Sequence, residues 1–399
     1  MKSKVYLLVF ILTTNIFHFV SAQSNEPQKV EVDLEKLAKS LVYECADIQE
    51  DEIVFINGSV RDLELLENVA VQVRKKGAFP LLTVASDRLT RKMYTEVPKK
   101  YDKQMSQLNY NLVEMMDAQI SISFGETPDL LADIPPERIA TINRTNKPIN
   151  DLYLSKTIKS VNLGNGLYPT KARAKQFNVS LEKLTEIFWK GISVDYKVLE
   201  KNGRKLKSIL ESGEELKITH KNGTNFKVGI ANRPSFISDG IISKEDLEKG
   251  TAGTAVYLPA GEVYTTPVRG TANGKIVVDN YFFMGQTIKG LELIFEEGKL
   301  TEMDAEAGIK QIKAYYKAQE KDVEEFSIID FGINPDVEVP DGSNILTYVP
   351  AGIITVGIGN NTWAGGDNNS ISGMNFFLPD CTVKIDNTIV IDEGQLILE

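Results

Sequence analysis

Apolar and polar positions alternate between two periods along this 399-residue chain. From about Val30 to Ala85 the helical and strand periods take turns. Leu34–Tyr43 has helical spacing and Glu52-Ile-Val-Phe-Ile-Asn57 reads as a strand. Arg61–Lys76 is helical again, Gly77 ends it, and Phe79–Ala85 is a second buried strand. Strand, helix and strand with short connections form a βαβ unit, and Ala118–Phe124 continues the same parallel sheet. Ser180–Leu210 is largely helical, with Ser180 as its N-cap and Glu182 in the first turn. Lys183 stands where a capping box would place glutamate.

Beyond Leu210 the period shortens. Glu215–His220, Asn225–Ile230, Thr254–Leu258, Lys275–Val278, Leu291–Phe295, Ile353–Ile358 and Thr388–Ile391 read as short strands between Gly and Asn turns, with Thr301–Lys321 as one helical stretch. The fold expected is an α/β domain with a mainly parallel sheet, then a β-rich domain with a mixed or antiparallel, curled sheet and a helix. The change falls between Asn146 and Ser180, which divides the chain into 23–165 and 166–399.

The N-terminus has its own pattern. A basic Met1-Lys-Ser-Lys4, an apolar run from Val5 to Val20 and the small pair Ser21-Ala22 read as a signal peptide, residues 1–22, of an exported protein. An uncleaved membrane anchor is the alternative, disfavoured by the short run and its Thr13, Thr14 and Asn15. Losing Lys2 and Lys4 takes the formal charge from −10 to −12. That acidity argues against nucleic acid as a partner. No later segment is apolar enough for a membrane span.

The chemistry centres on Leu258-Pro-Ala-Gly-Glu-Val-Tyr-Thr-Thr-Pro267. Gly261 lets the backbone turn, the two prolines fix its flanks, and Glu262 is presented as a candidate metal ligand or general base. The whole chain has only two histidines, His18 and His220, and cleavage would leave His220, read as a surface residue. A serine triad lacks its Gly-x-Ser-x-Gly elbow, and Asn57-Gly-Ser59 is too short for a dinucleotide fingerprint. Cys45 and Cys381 read as two unpaired small hydrophobes, with a disulfide as the alternative. Glu262 as a buried, hydrogen-bonded carboxylate without chemistry is as consistent with the sequence as a functional role.

A resemblance enters with the ordered series Gly77-Ala-Phe-Pro80, Tyr168-Pro-Thr170, Val194-Asp-Tyr196, Ile218-Thr219, Gly223-Thr-Asn-Phe226 and Pro259-Ala-Gly-Glu-Val-Tyr264. The chain resembles the aminopeptidase T-like metallopeptidases over roughly residues 42–394. The resemblance implies an N-terminal α/β domain, a β-rich domain with a two-metal site that releases N-terminal residues from peptides, and a homodimer. It places the first carboxylate ligand on Glu262 and the second on Asp330. The histidine of a Gly-x-x-His-x-x-x-Gly strand falls on Thr355, and a closing His-x-Asp pair falls on Gly373 and Asn375.

Two carboxylates, a hydroxyl and an amide do not make a zinc or cobalt pair, which needs several donors on each ion with imidazole among them. A hard cation on oxygen ligands, with Asp367 or Asp380 as extra donors, is the alternative to no cofactor. Tyr264 and Trp363, the latter in the loop Gly359–Gly366, are candidates for a peptide cleft. Three functions follow: an exported, catalytically degenerate relative that binds peptides, an active aminopeptidase with a site rebuilt around Glu262 and Asp330, or a structural role.

Overall fold

The computed structural model describes residues 33–123, 127, 129–248, 250, 253–319 and 321–398. The signal segment 1–22 and the expected strand end at Phe124 lie outside them. Three sheets organise the chain. The first is fully parallel and has five strands, in spatial order Phe79–Ala85, Ile53–Ser59, Ala118–Ile122, Lys159–Leu163 and Ala255–Leu258. The fifth strand comes from far along the chain and completes the edge beside Lys159–Leu163.

Helices cover both faces of this sheet, as parallel strands require. Helix Leu63–Lys75 buries Leu65, Leu66, Val69 and Val73, residues at helical spacing, in the same core as Val54 and Ile56. On the other face Phe55 packs with Val113 and Met116 and against Ile149, Leu152 and Tyr153. The latter three belong to the long helix Pro136–Ser155. The first helix is regular over Leu34–Ser40 and then widens into a π turn over Leu41–Cys45, with Ala46 N–H reaching Leu41 O at 3.1 Å.

Two antiparallel sheets follow, one of eight strands between Glu215 and Leu396 and one of five. The five-stranded sheet runs in the order Gly373–Leu378, Ile354–Gly359, Phe326–Gly332, Glu262–Thr265 and Ser235–Ser238. Val263, Ile329, Val356 and Phe376 of this sheet share one core with Ile218, Phe226, Leu293 and Val383 of the larger one. Phe226, Phe295 and Phe326 meet there with ring centroids 4.9–5.5 Å apart. The parallel α/β region and the antiparallel β-rich sheets are those the sequence pattern implies.

Local differences have local causes. Thr301–Lys321 is not one helix: Lys299–Asp304 is a strand, and Gly308, at φ 85°, separates it from helix Ile309–Lys317. Ser180 does cap its helix, accepting from Lys183 N–H at 3.1 Å. Ser180→Ala is expected to cost about 1 kcal/mol of stability, read by urea unfolding. No change there would mean that water satisfies the freed amide. Cys45 and Cys381 are buried and free, and burial pushes both thiols up to about 12. His220 is half-buried at the end of strand Glu215–Thr219, both ring nitrogens without a partner, rather than a plain surface residue. Among the described residues no helix is long and apolar enough to cross a membrane.

Candidate functional site

The chain passes directly from the parallel sheet into the five-stranded one through Pro259-Ala-Gly261. Strand Ala255–Leu258 ends the first and Glu262 opens the second. Gly261 has φ 125°, and a Cβ there would lie 2.6 Å from Asn334 Cβ, so the turn admits only glycine. Glu262 is not displayed on an open loop edge. It begins a strand buried at all four positions.

Register places the other candidates. Asp330 lies opposite Tyr264 and Thr355, and Gly332 lies opposite Glu262. Asn375 lies opposite Gly357, and Gly373 opposite Gly359. Paired residues share a face and alternate residues return to it. Glu262, Tyr264, Asp330, Thr355, Gly373 and Asn375 therefore all belong to one face of the five-stranded sheet, opposite the face that enters the main core. The glycines make room: a Cβ at Gly357 would lie 2.3 Å from Asn375 Oδ1.

Glu262 and Asp330 are only 4% and 3% exposed. Asn165 donates its amide to Glu262 Oε1 and to Pro259 O, the latter at 3.0 Å. Burial raises the Glu262 carboxyl to about 7, against the lowering effect of that bond. Asp330 is raised well above the usual carboxylate range by burial and then by the charge of Glu262. Asp330 Oδ1 and Thr355 Oγ1 are buried without a hydrogen-bond partner. Asn375 donates to Tyr348 Oη at 2.9 Å. Tyr348 is pushed up to about 12, chiefly by burial.

The donor set decides what this face can hold. Among the described residues no three of His, Cys, Asp and Glu come together in a group fit for a metal. Asp367 and Asp380, the candidate extra ligands, are exposed. A carboxylate pair awaiting a cation would suffer the same burial penalty, so the raised carboxyls do not discriminate. Ligand type does. Two carboxylates, a hydroxyl and an amide do not fit a pair of ions that prefer imidazole among their donors.

Next to this face lies a polar cleft of about 530 Å³. Asn375, Gly373 and Trp363 line it on the sheet side, and Asn143, Asn146 and Asn150 on the side of helix Pro136–Ser155. The three helix asparagines recur at a spacing that puts them on one stripe. Tyr264 is buried beneath Trp363, with ring centroids 5.4 Å apart, so its ring offers the cleft no surface of its own. Sequence reasoning missed Asn165 and the asparagine stripe. Gly164-Asn-Gly166, all three at positive φ, was the available signal for the first. The three-and-four spacing of asparagines was the signal for the second.

Comparison with known proteins accords with the fold. The model of the M29 family, thermophilic metalloproteases, matches residues 30–331. That span includes Glu262 and Asp330 and ends before Thr355, Gly373 and Asn375. Aminopeptidase 2 of Geobacillus stearothermophilus is 24% identical over 305 residues, 71% of this chain and 72% of the relative. The structure of wild-type AmpT from Thermus thermophilus superposes with a TM-score of 0.69 at 16% identity, covering 91% of this chain and 98% of that one. A 2,5-dihydroxypyridine dioxygenase from Pseudomonas putida KT2440 has a TM-score of 0.57 at 13% identity, covering 92% and 97%. Both likenesses are of the fold alone, and a fold does not fix a reaction, which depends on the residues set upon it. The matched span is most of the chain, and the chain belongs to the M29 family of thermophilic metalloproteases.

Proposed function

We propose that this chain is an exported, peptide-binding member of the family that has lost its metal-dependent chemistry. One observation carries the reading. The sheet face that bears Glu262 and Asp330 offers Thr355, Gly373 and Asn375 where the resemblance places the remaining ligands, and His220 lies on a different sheet. The neighbouring cleft supports the binding half. Carboxamides can donate to and accept from a peptide main chain, and Trp363 gives a flat apolar surface beside them. By the same resemblance the working form is a homodimer, and by its leader pattern the mature chain begins near Gln23. N-terminal sequencing that returned Met1 would contradict export by cleavage.

A second reading has one observation in its favour. A carboxyl at about 7 is poised as a general base near neutral pH, as a rebuilt hydrolase would need. The two readings part in one experiment. Leucyl and other aminoacyl substrates are assayed with added zinc, cobalt or manganese, and binding of short peptides is measured in parallel. The expected result is no metal-dependent turnover, with peptide binding weakened about tenfold by Trp363→Ala. Chelator-sensitive turnover that disappears in Glu262→Gln would establish the rebuilt enzyme instead. Absence of both turnover and binding would leave the structural role.

A further inference from the structure

A second cavity, of about 280 Å³, is lined by Tyr348, whose Oη accepts from Asn375 of the asparagine cleft. Its wall is aromatic: Phe177, Tyr281, Phe282, Tyr348 and Phe377 line it. Asn344 N–H donates to Phe177 O at 2.8 Å and ties two of its walls together. Tyr281 packs on Phe376 with centroids 5.1 Å apart, anchoring the strand that carries Phe282.

One cation lines this aromatic-walled chamber. Arg173, from the short helix Lys171–Gln176, is half-buried and lines the cavity. Its Nη1 donates to the neutral Gln176 Oε1 at 3.0 Å, and its guanidinium lies 5.5 Å from the Phe177 ring centroid. Among the described residues no carboxylate forms an ion pair with it. Burial lowers its proton affinity, with no neighbouring acid to offset the effect. A guanidinium presents five donors in a planar fork, and here one bond to an amide and one ring face occupy it. A half-buried arginine that faces a cavity without a carboxylate partner keeps donors free for an anion there. Nothing in the account of Glu262 and Asp330 employs it.

We infer that this cavity binds a small organic acid with an aromatic or similarly apolar body, its carboxylate held by Arg173 and its body by the ring wall. The volume sets the size. At about 30 Å³ per water the chamber holds roughly nine waters, or a ligand on the order of ten non-hydrogen atoms. A ring on a short acid chain fits that space, and a longer peptide does not. The cavity shares no lining residue with the asparagine cleft, and the inference needs no metal.

The test uses 3-phenylpropionate and its neutral analogue 3-phenylpropionamide, titrated calorimetrically into the full-length mature protein at pH 7. The acid is expected to bind at least about tenfold more tightly than the amide, because the charge-assisted bond is lost in the latter. Arg173→Gln is expected to abolish that preference, while Arg173→Lys keeps part of it. Phe282→Ala, at the half-open rim, is expected to weaken acid and amide alike. The comparison of the two probes on the unmodified protein stands even if a variant fails to fold. Equal affinity for acid and amide, no binding of either, or an acid preference that survives Arg173→Gln would each overturn the inference.

Discussion

Glu262→Gln is expected to stabilise the chelator-treated protein at pH 8 by roughly 3 kcal/mol and to change it little near pH 4. The cause is burial, which lifts this carboxyl from an ordinary 4.5 to about 7. A carboxyl raised in the folded state favours folding most when protonated. That contribution is fully present below pH 4.5 and is lost as the pH climbs through about 7. Above that, the folded protein holds an ionised group it would rather keep neutral. Glutamine removes the charge and keeps an oxygen that accepts from Asn165. Asp330 titrates in the same direction and deepens the loss of stability at alkaline pH. Urea unfolding at the two pH values reads the effect. Destabilisation by the substitution at pH 8 would mean that the protein neighbours of the ionised carboxylate, Asn165 first among them, outweigh the cost of its burial.

Gly261→Ala is expected to cost roughly 3 kcal/mol or more. Two effects add. The backbone at φ 125° disfavours any side chain, and the new Cβ would fall 2.6 Å from Asn334 Cβ and 2.9 Å from Asn334 N. Asn334 cannot retreat easily, because its amide donates to Ala260 O at 2.6 Å and Gly191 O at 3.0 Å. Gly342→Ala is the control. Its φ is 72° and a Cβ there meets nothing within 4 Å, so only the conformational penalty of about 1 kcal/mol applies. Comparable losses at the two sites, measured by thermal or urea unfolding, would show that overlap with Asn334 is relieved by a small shift of the turn.

Much of the fold was legible because its elements obey one period each. Gly77, at φ 82°, ends its helix as the pattern implied, and the strands Ile53–Ser59 and Phe79–Ala85 pair in parallel over seven residues each, although Phe79–Ala85 is an edge strand with no buried residue and not the buried strand expected. Elements that mix signals were not legible. Strand Lys159–Leu163 begins with a buried lysine, which reads as a surface residue until its Nζ is seen bonded to Glu52 Oε2 and Asp47 O, both at 2.8 Å. Helix Pro136–Ser155 contains Pro148 and a polar stripe of asparagines, so neither propensity nor apolar spacing announced it. It runs past Asn146, into the stretch from Asn146 to Ser180 where the change of texture was placed.

The site was legible to the extent that it depends on alternation. Once Glu262, Asp330, Thr355 and Asn375 are assigned to strands, their parity puts them on one face. What alternation does not carry is contact between sheets. Asn165 reaches Glu262 from the turn after a parallel strand, and Tyr348 reaches Asn375 from an irregular segment. Neither partnership has a sequence spacing that could reveal it. For the same reason Glu262 read as a rigidly displayed ligand, whereas it is a buried carboxyl with an amide neighbour.

The central claim is that this member of the family keeps the fold without a metal pair, and metal content tests it most directly. The mature protein is incubated with excess zinc or cobalt, freed of unbound ions, and analysed by mass spectrometry for metal per chain. Retention well below one ion per chain, unchanged by Glu262→Gln and Asp330→Asn, is the predicted result. Two ions per chain, lost in either variant, would contradict it and restore the face around Glu262 as a working metal centre.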